Sequence, residues 1–381
     1  MRIAFIHDCI YPYRKGGGEV RIKYLSELLV KAGHEVVLVG MKDWQGPDVK
    51  VIKQGITAIG ICEGLDLYTE SGHRTISDAL RFSRACTPKN LTDLVGRVDL
   101  IEANNIPYVH LWNVQNWAKQ MDVPMLVTWH EFYGYEHWKT ERTMPVAWGT
   151  TIFEKYTTTL GDGIIAVSER TKRRLIERGV KESRISVVNG GIDVSHIAKT
   201  PLEGSNSDLF YAARLVGIKR VDLLLLATAI SQKSLKRPLK VIITGDGPLK
   251  SELEALADNL GVDAEFTGFL PSLENVWGRM KKSKVMVHTS EREGFGFAAL
   301  EAMACGLPVV TTDEDTTSIN MFIDNGKNGY VCEPTPRSIA DGIIKALNHA
   351  DDMITNCKAT ASAFSWQQSA EELQRVYKAA V

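Results

Sequence analysis

The sequence predicts an α/β protein built from two doubly wound, Rossmann-like domains. The chain has 381 residues, more than twice the roughly 150 residues of an average domain. Hydrophobic residues make up 44% and charged residues 24%, the balance of a globular protein with large cores. Apolar runs of strand length alternate with segments of helical period along the chain, which is typical of parallel sheets covered by helices on both faces.

The first half of the chain opens with one βαβ unit. Residues 3–6 predict a strand, residues 11–18 a glycine-rich loop, residues 19–32 an amphipathic helix and residues 36–39 the next strand. Further strands are predicted at 100–101, 125–129, 164–167 and 185–188. These strands complete a first domain.

The second half repeats this architecture after a change in composition. Residues 200–208, TPLEGSNSD, combine proline, glycine and serine with little apolar content and predict a linker. Strands are then predicted at 209–212, 240–244, 265–266 and 284–288. We therefore expect one domain over residues 1–197, a second over residues 198–365 and a terminal helix over residues 366–381.

Charge, cysteine spacing and hydropathy exclude several classes of protein. The 45 basic and 46 acidic residues leave a net charge of −1, which provides no positive electrostatic field to attract nucleic acid. The six cysteines form no CxxC pair and no zinc-binding spacing, so we expect reduced thiols and no metal site. The opening MRIAFIHDCI lacks the apolar core of a signal peptide, and the most apolar stretch, residues 223–230, is too short to span a bilayer. The sequence predicts a cytoplasmic protein whose membrane contact, if it has one, is peripheral.

The densest group of candidate functional residues is SEREGFGFAALEAMACGLPVV at 290–310. Gly294 and Gly296 free the backbone before a strong helix former, so the helix N-terminus offers N–H groups to a phosphate. Glu293 and Glu301 are separated by roughly 12 Å of helical rise, which exceeds the spacing of hydrolytic carboxylate pairs. They suit the two ends of a long polyhydroxylated ligand such as a sugar nucleotide. The spacing is equally compatible with Glu293 as a helix cap and Glu301 as a solvated residue.

Three further groups lie where ligands bind in α/β proteins. Arg214 and Lys219 follow a predicted strand and could neutralise a diphosphate, although loop cations are more often only solvated. The glycine loop at residues 16–18 could bring backbone N–H groups to the same diphosphate. His130 follows a strand at its carboxyl end, where functional groups are common, although a lone histidine is more often structural.

Taken together, these motifs resemble the retaining glycosyltransferases of family 4, which have the GT-B fold of two Rossmann-like domains facing across a cleft. The likeness covers nearly the whole chain and is specific because the motifs occur in combination and in order. The motifs are GGGE at 16–19, His130, VSERTKRRL at 167–175, NGGID at 189–193, ARL with Lys219 downstream, GDGP at 245–248, TGFLP at 267–271, EGFGFAALEAMACGLPVV at 293–310 and DNGKNGYV at 324–331.

The resemblance implies transfer of a hexose from a UDP- or GDP-linked sugar to a hydroxyl acceptor, either a polysaccharide or other glycan or a lipid-linked glycan. It implies a front-face mechanism, no metal and no cofactor besides the nucleotide-sugar substrate. The first domain is then the acceptor side, with acceptor choice in loops 68–75 and 131–147, and the second domain binds the donor. The terminal helix crosses back onto the first domain.

The resemblance also assigns contacts to individual residues. The implied contacts are Arg214, Lys219 and Gly17 with the diphosphate, Glu293 with sugar hydroxyls, Gly294, Phe295 and Gly296 with sugar and phosphate, Glu301 with the ribose, His130 with the sugar near its primary hydroxyl, Gly18 with the donor, and Gly268 and Phe269 with the nucleobase.

One segment departs from the family pattern. Residues 313–323 read DEDTTSINMFI where relatives carry a glycine pair followed by glutamate. Asp313, Glu314 and Asp315 have the spacing of a DxD metal motif but lie in a predicted loop after the helix. The departure leaves the donor sugar open. It also keeps two alternatives, a non-catalytic sugar-nucleotide-binding protein and a GT-B-type sugar-nucleotide epimerase.

Overall fold

A computed structural model describes residues 1–14, 16–64, 76–141 and 143–381. The chain divides into two compact units, Met1–Gly190 with Trp366–Val381, and Gly191–Ser365. Each unit contains one sheet of predominantly or entirely parallel strands, flanked by helices. The predicted α/β fold class with two Rossmann-like domains is confirmed.

The first unit has an eight-stranded sheet in the order β3-β4-β2-β1-β5-β6-β7-β8. Among the strands that the structure describes in this unit, β3 alone is antiparallel to its neighbour. The strands are β1 Arg2–Ile6, β2 Glu35–Lys42, β3 Val49–Lys53, β4 Ile56–Glu63, β5 Leu100–Asn104, β6 Met125–Trp129, β7 Gly163–Ala166 and β8 Ile185–Val187. The helices are α1 Gly17–Lys31, α2 Ile76–Ala85, α3 Pro88–Val95, α4 Leu111–Met121, α5 Gly134–Glu141, α6 Met144–Thr157 and α7 Glu169–Glu177. Because β1 lies between β2 and β5, the chain changes direction across the sheet beside β1, which is where such folds bind ligands.

The second unit has a six-stranded parallel sheet in the order β11-β10-β9-β12-β13-β14. The strands are β9 Ser207–Ala212, β10 Lys240–Thr244, β11 Asp263–Gly268, β12 Ser283–His288, β13 Val309–Thr312 and β14 Gly329–Cys332. The helices are α8 Val194–Lys199, α9 Val221–Leu235, α10 Lys250–Leu260, α11 Leu273–Met280, α12 Phe297–Cys305 and α13 Pro336–Ser362. Leu209 and Tyr211 pack into the core on one face and Phe210 into the core on the other, since successive strand residues point to opposite faces.

The segment 200–208 differs from the linker that its composition predicts. It lies inside the second unit, and its last two residues open β9. Lys281 Nζ donates a hydrogen bond to the carbonyl oxygen of Thr200 (2.6 Å), and Asn275 Nδ2 donates one to Glu203 (2.6 Å). The segment is polar because it makes polar surface contacts within this unit.

The C-terminal helix α14, Trp366–Ala380, packs in the first unit. Trp366 stacks on Tyr24 of α1 with ring centroids 5.0 Å apart. The hydroxyl of Tyr377 donates a hydrogen bond to the buried carboxylate of Glu102, at the middle of β5. No helix in the described ranges is long and apolar enough to cross a membrane.

Candidate active site

In the second unit, three ionisable side chains meet at the carboxyl ends of β9 and β12. Lys219 ends a short 3₁₀ turn after β9, His288 is the last residue of β12, and Glu293 follows on the next loop. Lys219 Nζ donates a hydrogen bond to Glu293 Oε2 at 2.8 Å, and His288 Nε2 lies 3.6 Å from the same oxygen. The residues meet because β9 and β12 are paired neighbours in the sheet.

The backbone of Lys219 is held by the strands around it. Its carbonyl oxygen accepts hydrogen bonds from the Tyr211 hydroxyl (2.8 Å) and the Thr289 hydroxyl (3.1 Å). The backbone N–H of Glu291 donates to the carbonyl of Ile218 (2.9 Å), which joins the two loops. Lys219 is therefore a positioned cation, whereas Arg214 is exposed on the loop that leaves β9.

Glu293 is anionic in this environment. Burial by itself would raise the pKa of Glu293, but the charge of Lys219 and the nearby His288 imidazole outweigh it and hold the pKa well below its usual range. Burial lowers the pKa of His288 despite the neighbouring carboxylate. The cluster thus pairs one cation with one anion beside a neutral imidazole.

Helix α12 begins directly after this loop with an uncapped N-terminus. Its N-cap is Gly296, with φ +99°, and no side chain caps the first turn. A Cβ at this position would lie 2.5 Å from Ile319 Cγ1, so the turn requires glycine. The backbone N–H groups and the positive end of the helix dipole are suited to a phosphate.

Glu301, in the second turn of α12, is half-buried rather than freely solvated. Burial raises the pKa of Glu301 to about 7, against a smaller opposing effect of the nearby Trp277 indole. Among the described residues no cation forms an ion pair with Glu301. A desolvated carboxylate without a cation is a strong acceptor for a ligand hydroxyl.

The turn at residues 245–248 packs against the loop that carries Arg214. A Cβ on Gly245 would lie 1.9 Å from the carbonyl oxygen of Ala213, and one on Gly247 would lie 2.4 Å from that of Leu215. The two glycines therefore allow a backbone contact that no other residue permits. Next to this turn, β11 ends at Gly268, which accepts a hydrogen bond from Gly245 N–H at 3.0 Å.

The ring of Phe269 is exposed immediately after Gly268. Phe269 thus lies at the same sheet edge as Arg214 and Lys219, because β9, β10 and β11 are successive neighbours. Phe295, in contrast, is buried against Phe297 and Phe322, so its ring anchors the Glu293 loop in the core of the unit.

The segment 313–323, which follows β13 and departs from the family pattern, is hydrogen-bonded to the loop that carries Glu293. The N–H of Glu293 donates to Thr316 O (3.0 Å), and the N–H of Ser318 donates to Glu293 O (2.9 Å). The Ser318 hydroxyl donates to the carbonyl of Gly294 (2.8 Å), and the Thr316 hydroxyl to that of Glu291. The polar side chains of this segment thus bond to the backbone and hold the Glu293 loop in place.

In the first unit, His130 and the glycine loop meet at the carboxyl ends of β1, β5 and β6. His130 Nε2 lies 2.9 Å from Asn104 Oδ1, at the end of the neighbouring strand. Gly17 and Gly18 open α1, whose N-cap Gly16 provides no side-chain cap. A Cβ on Gly18 would lie 3.4 Å from His7 Nε2 and 3.5 Å from His130 Nε2, so little more than a methyl group fits there.

His130 is a neutral imidazole near neutral pH. Burial, the charge of Arg21 and the nearby His7 lower the pKa of His130 to about 3. Arg21 is itself buried and pairs with Glu102 at 3.2 Å. His130 can therefore exchange hydrogen bonds with a hydroxyl but does not supply a positive charge.

Potential metal-ligand atoms converge at one place in the described part of the chain. Atoms of His7, Asp8 and Cys9 lie within 4.8 Å of one another, whereas residues 313–315 form no such group. His7 Nδ1 accepts a hydrogen bond from Cys9 N–H at 3.0 Å. A metal ion on that nitrogen would have to break this bond.

Some residues of these clusters were not predicted from the sequence. His288 and Asn104 each end a parallel strand, which is the signal that singled out His130, so the same rule could have found them. Arg21 carries no such signal, because only the packed structure shows that it is buried. The predicted acceptor loop 68–75 lies outside the described residues, as does residue 142 within the loop 131–147.

Two family models match adjoining parts of the chain. The model "Glycosyltransferase Family 4" matches residues 15–196, and "Glycosyl transferases group 1" matches residues 195–363. A subunit of the human phosphatidylinositol N-acetylglucosaminyltransferase is 25% identical over 98% of this chain and 75% of its own. A D-inositol 3-phosphate glycosyltransferase of Gordonia bronchialis is 29% identical over 58% of this chain and 53% of its own.

Solved structures share the fold at low sequence identity. Sucrose-phosphate synthase from Thermosynechococcus elongatus superposes with a TM-score of 0.80 at 20% identity, over 99% of this chain and 98% of its own. A trehalose-6-phosphate synthase superposes with a TM-score of 0.75 at 14% identity, over 100% of both chains.

Proposed function

The chain belongs to the glycosyltransferases of family 4 and group 1, with the GT-B fold, and from this membership we propose that it transfers a hexose from a nucleotide-diphospho-sugar to a hydroxyl acceptor with retention of configuration. The donor is UDP- or GDP-linked. The observation that carries the proposal is the Lys219–Glu293–His288 cluster beside the uncapped N-terminus of α12. It combines a positioned cation and helix N–H groups for a diphosphate with a carboxylate for sugar hydroxyls.

The leaving diphosphate is stabilised by charges that are already in place. Lys219 has three N–H donors, so it can hold Glu293 and a phosphate oxygen together. The exposed guanidinium of Arg214 and the N–H groups at Gly294 and Gly296 add donors at the same edge of the sheet. This arrangement favours transfer without a metal ion or other cofactor.

The chemical step that follows is a front-face substitution. The bond between the anomeric carbon and the phosphate oxygen breaks, and its electron pair goes to the phosphate. The acceptor oxygen forms its bond to the same face of that carbon and gives its proton to the departing phosphate oxygen. The cations hold the developing negative charge, so no protein nucleophile is needed.

The remaining residues bind the donor. Glu301 accepts hydrogen bonds from the ribose hydroxyls, because its carboxylate is desolvated and has no cation. His130 binds the sugar near its primary hydroxyl as a neutral imidazole, with Gly17 and Gly18 close to the donor. Gly268 and the exposed ring of Phe269 border the nucleobase.

The acceptor is a glycan or a lipid-linked molecule. Relatives named for phosphatidylinositol and D-inositol 3-phosphate make inositol-containing acceptors the first to test. A lipid-linked acceptor would place the enzyme in the cytoplasm at the inner face of the membrane.

Epimerisation is the weaker alternative because it needs an acid and a base at the sugar carbon. Glu293 is held anionic by Lys219, and His130 is neutral with a low pKa, so neither is a good acid near pH 7. A non-catalytic binding protein would also keep the donor-binding residues, so only a measurement of turnover distinguishes it from the enzyme.

Thermal unfolding with UDP-, GDP- and ADP-sugars, with and without chelator, tests the donor site. A rise of the unfolding midpoint with one nucleotide family, unchanged by chelator, supports the site and identifies the base. Transfer to an acceptor panel, with the anomeric configuration determined by NMR, then tests the reaction. Binding without transfer across the panel would favour the non-catalytic alternative, and no shift with any sugar nucleotide would contradict the donor site.

A further inference from the structure

Helix α6 carries large apolar side chains on its solvent side. Met144, Trp148, Ile152 and Tyr156 are 70%, 62%, 55% and 55% exposed. They are four residues apart and form one stripe, here called the α6 stripe, about 18 Å long at 1.5 Å per residue. The solvent side of a surface helix is normally polar, so an apolar stripe of this size marks an interaction surface.

The opposite side of α6 is anchored in the first unit. Glu154 is fully buried. Its carboxylate accepts hydrogen bonds from the Tyr108 hydroxyl (2.6 Å) and from the N–H groups of Tyr133 (2.7 Å) and Gly134 (2.8 Å). The α6 stripe is therefore displayed by a helix whose orientation is held by buried contacts.

The polar groups beside the α6 stripe tolerate an apolar environment. The hydroxyls of Thr150 and Thr151 donate to carbonyl oxygens of their own helix, each at 2.8 Å. Hydroxyls bonded in this way lose little on leaving water. Lys155 is the one exposed charged residue in α6, because Glu154 is buried. The exposed side of the helix thus carries no carboxylate that would repel an anionic surface.

We propose that α6 docks the first unit onto a lipid bilayer, with the α6 stripe lying at the level of the headgroups. Tryptophan and tyrosine are the residues enriched at membrane interfaces. Lys155 complements anionic headgroups at one end of the helix. The exposed area of the α6 stripe is on the order of 500 Å², since a fully exposed aromatic side chain offers about 150–250 Å². This area is smaller than the roughly 800 Å² that each partner buries in a stable protein dimer. These features favour a membrane over a second copy of the chain.

Vesicle flotation of the full chain tests this surface without any substrate, so its result is independent of the proposed transferase activity. We expect the protein to float with phosphatidylcholine vesicles. Adding 30% phosphatidylglycerol should tighten binding by no more than about fivefold, because one lysine faces the headgroups. Trp148 is the one exposed tryptophan among the eight in the chain. Brominated lipids should therefore quench its fluorescence, and Trp148→Phe should abolish that quenching while the protein still floats.

Charged substitutions on the α6 stripe provide the direct comparison. Trp148→Glu with Ile152→Glu should lower the vesicle partition coefficient at least tenfold. Val51→Glu with Leu202→Glu is the matched control, because those side chains are 68% and 61% exposed and lie outside α6. Unfolding midpoints check that both variants fold.

Three results would overturn the proposal. One is a wild-type protein that binds neither vesicle, and another is equal loss of binding in the control. The third is a wild-type dimer in sedimentation velocity that the α6 variant converts to a monomer, which would assign the α6 stripe to a second copy of the chain.

Discussion

Replacing Glu301 by glutamine is expected to stabilise the ligand-free protein at alkaline pH and to weaken its binding of nucleotide. Burial raises the pKa of Glu301 from 4.5 to about 7 in the folded protein. The unfolded carboxyl therefore ionises first as the pH rises. Stability that the protein has below about pH 4.5 is lost progressively up to about pH 7 and stays lost above it. A neutral glutamine removes this loss.

The magnitude follows from the difference between the two pKa values. At 1.36 kcal/mol per pKa unit, the free energy of unfolding that is lost amounts to about 3.4 kcal/mol. The side chain keeps some exposure, so screening by water reduces this to about 1–2 kcal/mol. A domain of this size gains about 2–4 °C in unfolding midpoint per kcal/mol. Glu301→Gln should thus raise the midpoint by about 2–8 °C at pH 8 and leave it nearly unchanged at pH 4.5.

Nucleotide binding should change in the opposite direction. A hydrogen bond to a carboxylate contributes about 1 kcal/mol more than one to a neutral amide, so the affinity should fall roughly fivefold. Scanning calorimetry at both pH values and titration calorimetry with UDP, GDP and ADP measure the two effects. Glu252→Gln, on the exposed side of α10, controls for the loss of one charge. An equal midpoint shift at both pH values, or an unchanged nucleotide affinity, would refute the reasoning.

Three other substitutions address the remaining contacts. Lys219→Ala leaves the Glu293 carboxylate without its cation, and we expect initial-rate assays to show at least a 100-fold loss of transfer, equivalent to about 3 kcal/mol; a loss below tenfold would contradict the role of Lys219. His130→Gln should lower the rate without altering the shape of the pH–rate profile between pH 5 and 8, because the pKa of His130 is about 3. If the wild-type rate rises or falls with pH in this range and the variant does not, His130 is not a neutral imidazole throughout it. Tyr377→Phe removes the hydrogen bond to buried Glu102, and thermal unfolding should show a loss of about 1–3 kcal/mol; an unchanged midpoint would mean that this bond does not hold α14.

Two buried strands of the fold were predictable in both type and bounds. Residues 125–129 and 240–244 form β6 and β10 with the predicted bounds. The strands β3, β4, β13 and β14 were not predicted. Two of these have four residues each, which is too short for a clear period, and they are recognised only by their pairing with a neighbour.

The candidate site was predictable as a set of loops but not as a set of contacts. The carboxyl-end rule places Lys219 and Glu293 after strands of the same sheet. They form an ion pair because β9 and β12 are adjacent, and strand order depends on how the whole sheet assembles. The hydrogen bonds that Thr316 and Ser318 donate to the backbone of the Glu293 loop also depend on the order of the strands in the sheet.

The sequence by itself determined the alternation of strands and helices in two domains, the family and the residues that could meet a diphosphate. These properties follow from local periodicity and from motifs of fixed spacing. The tertiary structure alone decided which carboxylate is paired, which histidine is neutral and which apolar side chains stay exposed. Charge state depends on burial and on neighbours distant in sequence, as it does at Glu301 and His130. The helical period of α6 shows its stripe, but only packing leaves Trp148 in solvent.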